Sequence, residues 1–332
     1  MDIRNRKELH AAAVASLAAA PGQPRQAAAL YAAIGSVLAL LSAVISFILN
    51  NQIAQTGGLS NMGLRSMLST AQSVLPVVQM VVMLCLGLGY HMVALNVARN
   101  RYSGPNTLPE GFRRFGPLVR TTILQYLIYF GIGFAAMYAS IYIFLMLPVS
   151  RDFYEIMMPI VGDMSALDTA LTLDDATLIA ATNELAPMLW IFLAVFLIAF
   201  LPIYYQYRMV MFCLVDEPGA GAFRTLRSSS RMMRRNCIAL LKLDLSFWWY
   251  YLLQTVVPVV CYGDILLPMV GITLPWSGTV SYFVFYVLSL ILQFVVYYFF
   301  MNRVNVTYAM AYESIRPKPQ ETKVALGNIF DM

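Results

Sequence analysis

Charge and histidine are what this chain has least of. Only 12% of its 332 residues are charged, and its two histidines are His10 and His91. Soluble domains carry about twice that share of charge, so this chain lacks the polar surface needed to face water all round. Two histidines are too few for a metal centre by themselves. His91 lies in GLGYHMVALN, with no second His four residues on and no adjacent Glu, so the helical zinc-protease pattern is absent. The four cysteines, Cys85, Cys213, Cys237 and Cys261, fall singly in or beside different apolar segments and form no CxxC pair. That usage suits small buried hydrophobes rather than disulfides or thiol chemistry. No GxSxG elbow, GxxxxGK[ST] phosphate loop or GxGxxG fingerprint occurs. No catalytic residue, metal or cofactor is therefore expected.

What the chain has in abundance is apolar length. It is 60% hydrophobic, with a mean hydropathy of +0.67. A spanning helix needs about 20 mainly apolar residues, and six segments qualify: 28–49, 74–98, 118–147, 186–214, 237–261 and 280–310. Pro202 is expected to kink the fourth. Gly131, Ala135 and Ala139 form a small-xxx-small line in the third, a pattern for close helix packing.

The basic residues are sided. The tail 1–27, the stretches 99–120 and 208–242, and the part from Arg303 onward hold 20 of the 22 Lys and Arg. The other connections hold only Arg65 and Arg151. By the positive-inside bias, both termini are cytoplasmic. The net charge of +5 is divided among helix ends, which argues against a nucleic-acid partner. The outer connection 148–185 is acidic, and Thr172 with Asp175 makes a capping-box-like start for a short helix in an outer cap.

Three basic pieces precede the odd-numbered spans. They are RKELHAAAVASLAAA, PEGFRRFGPLVR and GAGAFRTLRSSSRMMRRN. The first, residues 6–20, reads as an Ala-rich surface helix ended by Pro21 and Gly22. In the last, Phe223, Leu226, Ser230 and Met233 line one face, and Arg224, Arg227, Arg231 and Arg234 line the next, with Arg235 following. Such a helix lies in the interface with its cations on anionic headgroups. The layout predicts three repeats of surface helix plus hairpin.

The run AFRTLRSSSRMMRRN, then LLKLDLSFWWYYLL, YGDILLP and NRVNVTYAMAYE resembles the bacterial family labelled domain of unknown function 975. The resemblance covers about residues 1–316 in layout, with its specific words in 220–313. It implies a six-helix protein of the bacterial plasma membrane and transfers no activity and no catalytic residue.

Intramembrane ionisable groups are costly and so are the first functional candidates. Arg208, Asp244, Arg303 and His91 each lie about seven residues, or roughly 10 Å, inside the expected cytoplasmic boundary. With Asn302 and Asn305 they form one polar layer, in which Asp244 is expected to pair with Arg208 or Arg303. Asp244 and Asp264 do not make a protease dyad, because twenty helical residues separate them by about 30 Å. Asp264 instead ends the fifth helix.

The expected fold is all-α: a polytopic membrane protein with a cytoplasmic N-terminal surface helix (1–27), a six-helix transmembrane domain (28–310) bearing the outer cap, and a cytoplasmic tail (311–332). Two function classes remain. One is a non-enzymatic module that binds anionic membrane lipids, another membrane protein or itself. The other is a small-solute transporter built on the polar layer.

Overall fold

A computed structural model describes residues 3, 5–55, 62–148, 150–151, 175–269 and 278–316. Among these residues every regular element is a helix. In chain order they are α1 (Arg6–Ala19), α2 (Pro24–Gln55), α3 (Met62–Ala98), a short 3-10 turn (Pro105–Thr107), α4 (Glu110–Arg113), α5 (Phe115–Leu145) and α6 (Asp175–Gln206). Then come α7 (Val210–Asp216), α8 (Ala222–Met233), α9 (Cys237–Ser246), α10 (Trp248–Cys261) and α11 (Gly263–Met269). The chain closes with α12 (Gly278–Val296), a π-helical turn (Tyr297–Met301) and α13 (Asn302–Ile315). Most of the acidic outer connection and the tail beyond Arg316 lie outside the described residues.

Among the described residues five helices are long and apolar enough to cross a membrane: Pro24–Leu49, Ser69–Ala98, Phe115–Leu145, Ala186–Asp216 and Thr279–Ile315. They match five of the six expected spans. The expected span 237–261 is not one helix. It breaks at Ser246–Phe247 into pieces of 10 and 14 residues, each too short to cross alone. Ser246 Oγ donates to Leu243 O at 2.6 Å, and the Phe247 ring turns inward, 1% exposed. Backbone capping by the hydroxyl and burial of the aromatic ring both favour the bend over a straight helix.

The chain divides into two units, Met1–Val119 with Met209–Met332, and Arg120–Arg208. In the first, α2 and α3 form a long hairpin, and α13 packs against α1 and α3. Its core gathers on the last turns of α3, where Tyr90, Leu86 and Val93 pack with Ala27, Ala28 and Leu108. The 3-10 turn and α4 press onto this part of α3 through glycine. A Cβ on Gly89 would stand 2.1 Å from Leu108 O, and one on Gly111 would stand 1.9 Å from Cys85 O. Only residues without side chains allow backbones this close. α3 ends in a Schellman arrangement: Asn100 is left-handed (φ 53°), Asn100 N–H donates to Val97 O, and Arg101 N–H donates to Asn96 O at 2.8 Å.

α1 is capped by Asn5, whose Oδ1 accepts from Glu8 N–H while its Nδ2 donates to Glu8 Oε2 at 3.0 Å. It stops at Ala20, and Gly22 then adopts φ 111°. There Pro21 O accepts from Ser103 N–H at 2.9 Å. This turn fixes how α1 meets the start of α2.

In the second unit, Phe192, Phe196, Phe200 and Tyr204 stack in a ladder along α6, with centroids 5.7, 4.7 and 5.8 Å apart. Tyr129 of α5 meets Phe200 edge-on at 5.1 Å. The small-residue line expected at Gly131, Ala135 and Ala139 is off by one position. Those residues are exposed, whereas Ala136 and Ser140 are buried. The expected short cap helix at Asp175 is also different: the helix that begins there runs on through Pro187 and Pro202 to Gln206. After Pro202 the chain turns at Tyr207–Met209 before α7 resumes.

Candidate functional site

The last helix is where polar groups converge. Nine of the fourteen residues of α13 are buried, including Asn302, Thr307, Tyr308 and Tyr312. Just before it, the π turn inserts an extra residue per turn, a local form found frequently at functional sites. Asn302 Oδ1 accepts from Tyr90 Oη at 2.5 Å, and the Tyr90 ring stacks on Tyr31 at 5.5 Å. Asn302 Nδ2 is buried and has no hydrogen-bond partner. Asn305 Nδ2 donates to Met301 O at 3.1 Å, bridging the π turn and α13.

A second group sits at the break between α9 and α10. Tyr308 donates its hydroxyl to the Asp244 carboxylate and lies 2.8 Å from Tyr251 Oη. Phe247 fills the space between Tyr308, 6.2 Å away, and His10, 4.6 Å away. His10 Nε2 is 2.9 Å from Ser246 Oγ, and Arg6 donates to Lys242 O. α1 is thus fastened across the joint. Burial, with Arg303 and Arg6 nearby, lowers the His10 pKa below its ordinary 6.5, because each disfavours a second positive charge.

A third group is ionic. Asp216, at 6% side-chain exposure, accepts from Arg99, Arg316 and Tyr312. Arg99 Nε also donates to Glu313 at 2.7 Å. Phe212 stacks on Tyr312 at 5.5 Å and meets His91 edge-on at 5.0 Å. A cavity of about 210 Å³ borders Asp216, Tyr312 and Arg316. A larger one, of about 560 Å³, opens between the end of α1, the start of α2 and the π turn, with Arg25, Asn302 and Arg303 on its wall.

The residues expected in one polar layer meet several partners within their own units. Asp244 faces Tyr308, Asn302 faces Tyr90 and the large cavity, and His91 faces Phe212. Arg303 is exposed and forms no ion pair among the described residues. Arg208 belongs to the second unit, where it donates to Tyr204 Oη and lies 5.3 Å from that ring. The partners that sequence reasoning missed are tyrosines: Tyr90, Tyr251, Tyr308 and Tyr312. Their signal was the pairing of Tyr308 with Tyr312 at helical spacing on the helix that also carries Asn302 and Asn305.

On α8 the buried residues are Thr225, Leu226, Ser229 and Met233. Phe223, expected on the apolar face, is 76% exposed instead, alongside exposed Arg224, Arg227, Arg231, Arg234 and Arg235. The helix is turned so that its hydroxyls, not its aromatic ring, meet the protein. None of these arginines forms an ion pair among the described residues. Among the described residues no group of three or more His, Cys, Asp or Glu side chains is placed to hold a metal ion.

No curated protein and no solved structure matches the chain. The family described as "Protein of unknown function (DUF975)" matches residues 3–319, nearly the whole of the described fold. The chain belongs to that family.

Proposed function

We propose that this is a multi-pass protein of the bacterial plasma membrane that binds anionic lipid through its basic helices, as a non-enzymatic module. Both termini are cytoplasmic, α9 and α10 together make the sixth crossing, and the α1, α4 and α8 regions are three repeats of a surface helix before a hairpin. The observation that carries the reading is α8. Arg224, Arg227, Arg231 and the exposed Phe223 occupy its outer face, with Arg234 and Arg235 just past its end, while Leu226 and Met233 anchor the inner face. A cationic face with an aromatic wedge suits a headgroup layer, and each such cation contributes about 1 kcal/mol against an anionic surface.

The test is a thermal melt in zwitterionic detergent with added dioctanoyl phosphatidylglycerol or phosphatidylcholine. Phosphatidylglycerol should raise the melting temperature, and R224Q/R227Q/R231Q should weaken that response about 100-fold in lipid concentration. High salt should weaken it as well. An equal response to phosphatidylcholine, or an unchanged response in the triple variant, would sink the proposal.

One observation favours a second reading, a small-solute transporter. A cavity of about 210 Å³ lies among the apolar spans α2, α3 and α12, with Gln79, Gln293, Tyr31 and Tyr297 on its wall. Labelling of Gln79→Cys by a water-soluble thiol reagent, in a cysteine-free background, would support a wet pathway; protection would count against it.

A further inference from the structure

The groove between α2 and α12 has a polar end and an apolar run on one line of residues. At the polar end lies the cavity of about 560 Å³ with Arg25, Arg303 and Asn302 on its wall. Asn302 is 5% exposed, its Oδ1 is taken by Tyr90, and its Nδ2 has no partner. A buried donor left unpaired is unfavourable, so the cavity calls for an acceptor. The two flanking cations, exposed and free of carboxylate partners among the described residues, select an anionic oxygen.

From that end, α2 presents Gln26, Ala33, Val37 and Leu40 at helical spacing, and α12 with the π turn presents Tyr298, Phe294, Ile291 and Val287. A second cavity, of about 320 Å³, lies along this line between Val37 and Ile291, with no charged residue on its wall. The Phe294 and Tyr298 rings stack at 6.3 Å and join the two. From Gln26 to Leu40 is about 21 Å of helix, enough to follow an acyl chain from the headgroup to the bilayer midplane, about 15 Å in.

We infer that this groove holds one anionic phospholipid, its phosphate against Arg25, Arg303 and Asn302 and an acyl chain between Val37 and Ile291. The inference rests on the chain sitting in a bilayer, and not on α8 as a lipid-binding face. It deepens the lipid reading by giving the protein a built, saturable site in place of a diffuse surface.

The experiment is native mass spectrometry of delipidated protein titrated with dioleoyl phosphatidylglycerol, in the R224Q/R227Q/R231Q background so that α8 does not contribute. One lipid should bind tightly. R25Q/R303Q, which alters only exposed side chains, should lower its occupancy at least tenfold at fixed lipid. Ala33→Trp, which fills the apolar run, should do the same, and the pair keeps the test independent of either variant's folding. Absence of a single bound lipid, or equal occupancy in the cavity variants, would overturn the inference while leaving the α8 reading intact. Equal binding of dioleoyl phosphatidylcholine would overturn the anionic requirement. Displacement by inorganic phosphate at lipid-like concentrations would overturn the lipid assignment in favour of a free-phosphate site.

Discussion

Arg99 Nη2 lies 2.8 Å from Asp216 Oδ1, and the same carboxylate also receives Arg316 and the Tyr312 hydroxyl. Three donors from two distant parts of the chain thus meet one nearly buried charge. Removing one partner of such a pair leaves the other desolvated and uncompensated, at a cost of about 3–5 kcal/mol. Because Arg99 keeps Glu313 and Arg316 is 34% exposed, Asp216→Ala is expected to cost less, about 1.5–3 kcal/mol, in a detergent thermal melt. Glu313→Gln should cost about 1 kcal/mol or less, because Glu313 is 30% exposed and screened by solvent.

Glycine at the α3–α4 contact is expected to be irreplaceable. Gly111→Ala would set a methyl 1.9 Å from Cys85 O, and Gly89→Ala would set one 2.1 Å from Leu108 O. Both atoms belong to backbone, so the helices must separate. Overpacking of this kind costs about 1–3 kcal/mol or more. Gly116→Ala, where nothing lies within 4 Å, is the neutral control. Yield and melting temperature of the three variants check the prediction.

Docking of α1 should depend on pH. The His10 pKa is lowered in the folded protein by burial, Arg303 and Arg6. The unfolded state then binds the extra proton more readily, so stability is full above the ordinary value of 6.5 and falls as pH drops from there toward the lowered one. Hydrogen exchange of α1 amides should quicken over that window in wild type and lose the dependence in His10→Gln.

Tyr308→Phe removes the hydroxyl that serves Asp244 and faces Tyr251. A hydrogen bond to a charged group contributes about 1.5–3 kcal/mol, so the variant should melt lower by that order. Asp244→Asn, which keeps an acceptor for that hydroxyl but removes the charge, should lose less than Asp244→Ala. A result in the reverse order would mean that Asp244 draws its main support from elsewhere.

Hydropathy exposed the five long apolar helices directly, because a span of about 20 apolar residues is a property of composition alone. It missed the break at Ser246–Phe247 because the inward Phe247 ring packs on His10 and Tyr308, 237 and 61 positions away from it. Ring packing between remote segments leaves no mark in a local average. The polar layer illustrates the same limit. Depth could be read from distance along each helix, but direction could not. His91, Asp244 and Asn302 stood together on a one-dimensional scale, but the rings they meet, Phe212, Tyr308 and Tyr90, were not legible from it. On α8 the periodicity of the arginines and the burial of Leu226 and Met233 were legible, while Phe223 and Ser230 are not among the buried residues. Thr225 and Ser229, not Phe223, satisfy the inner contacts, and hydrophobicity alone ranks those residues the wrong way round.

The π turn at Tyr297–Met301 acts as a phase setter for the end of the chain. One residue advances an α-helix by about 100°. Winding the same five residues as ordinary α-helix would swing Asn302, Tyr308, Tyr312 and Glu313 together away from Tyr90, Asp244, Asp216 and Arg99. A helix built of interchangeable apolar residues is thereby keyed to a single rotational setting, and its apolar half cannot drift in register without unlocking the polar contacts at the other end.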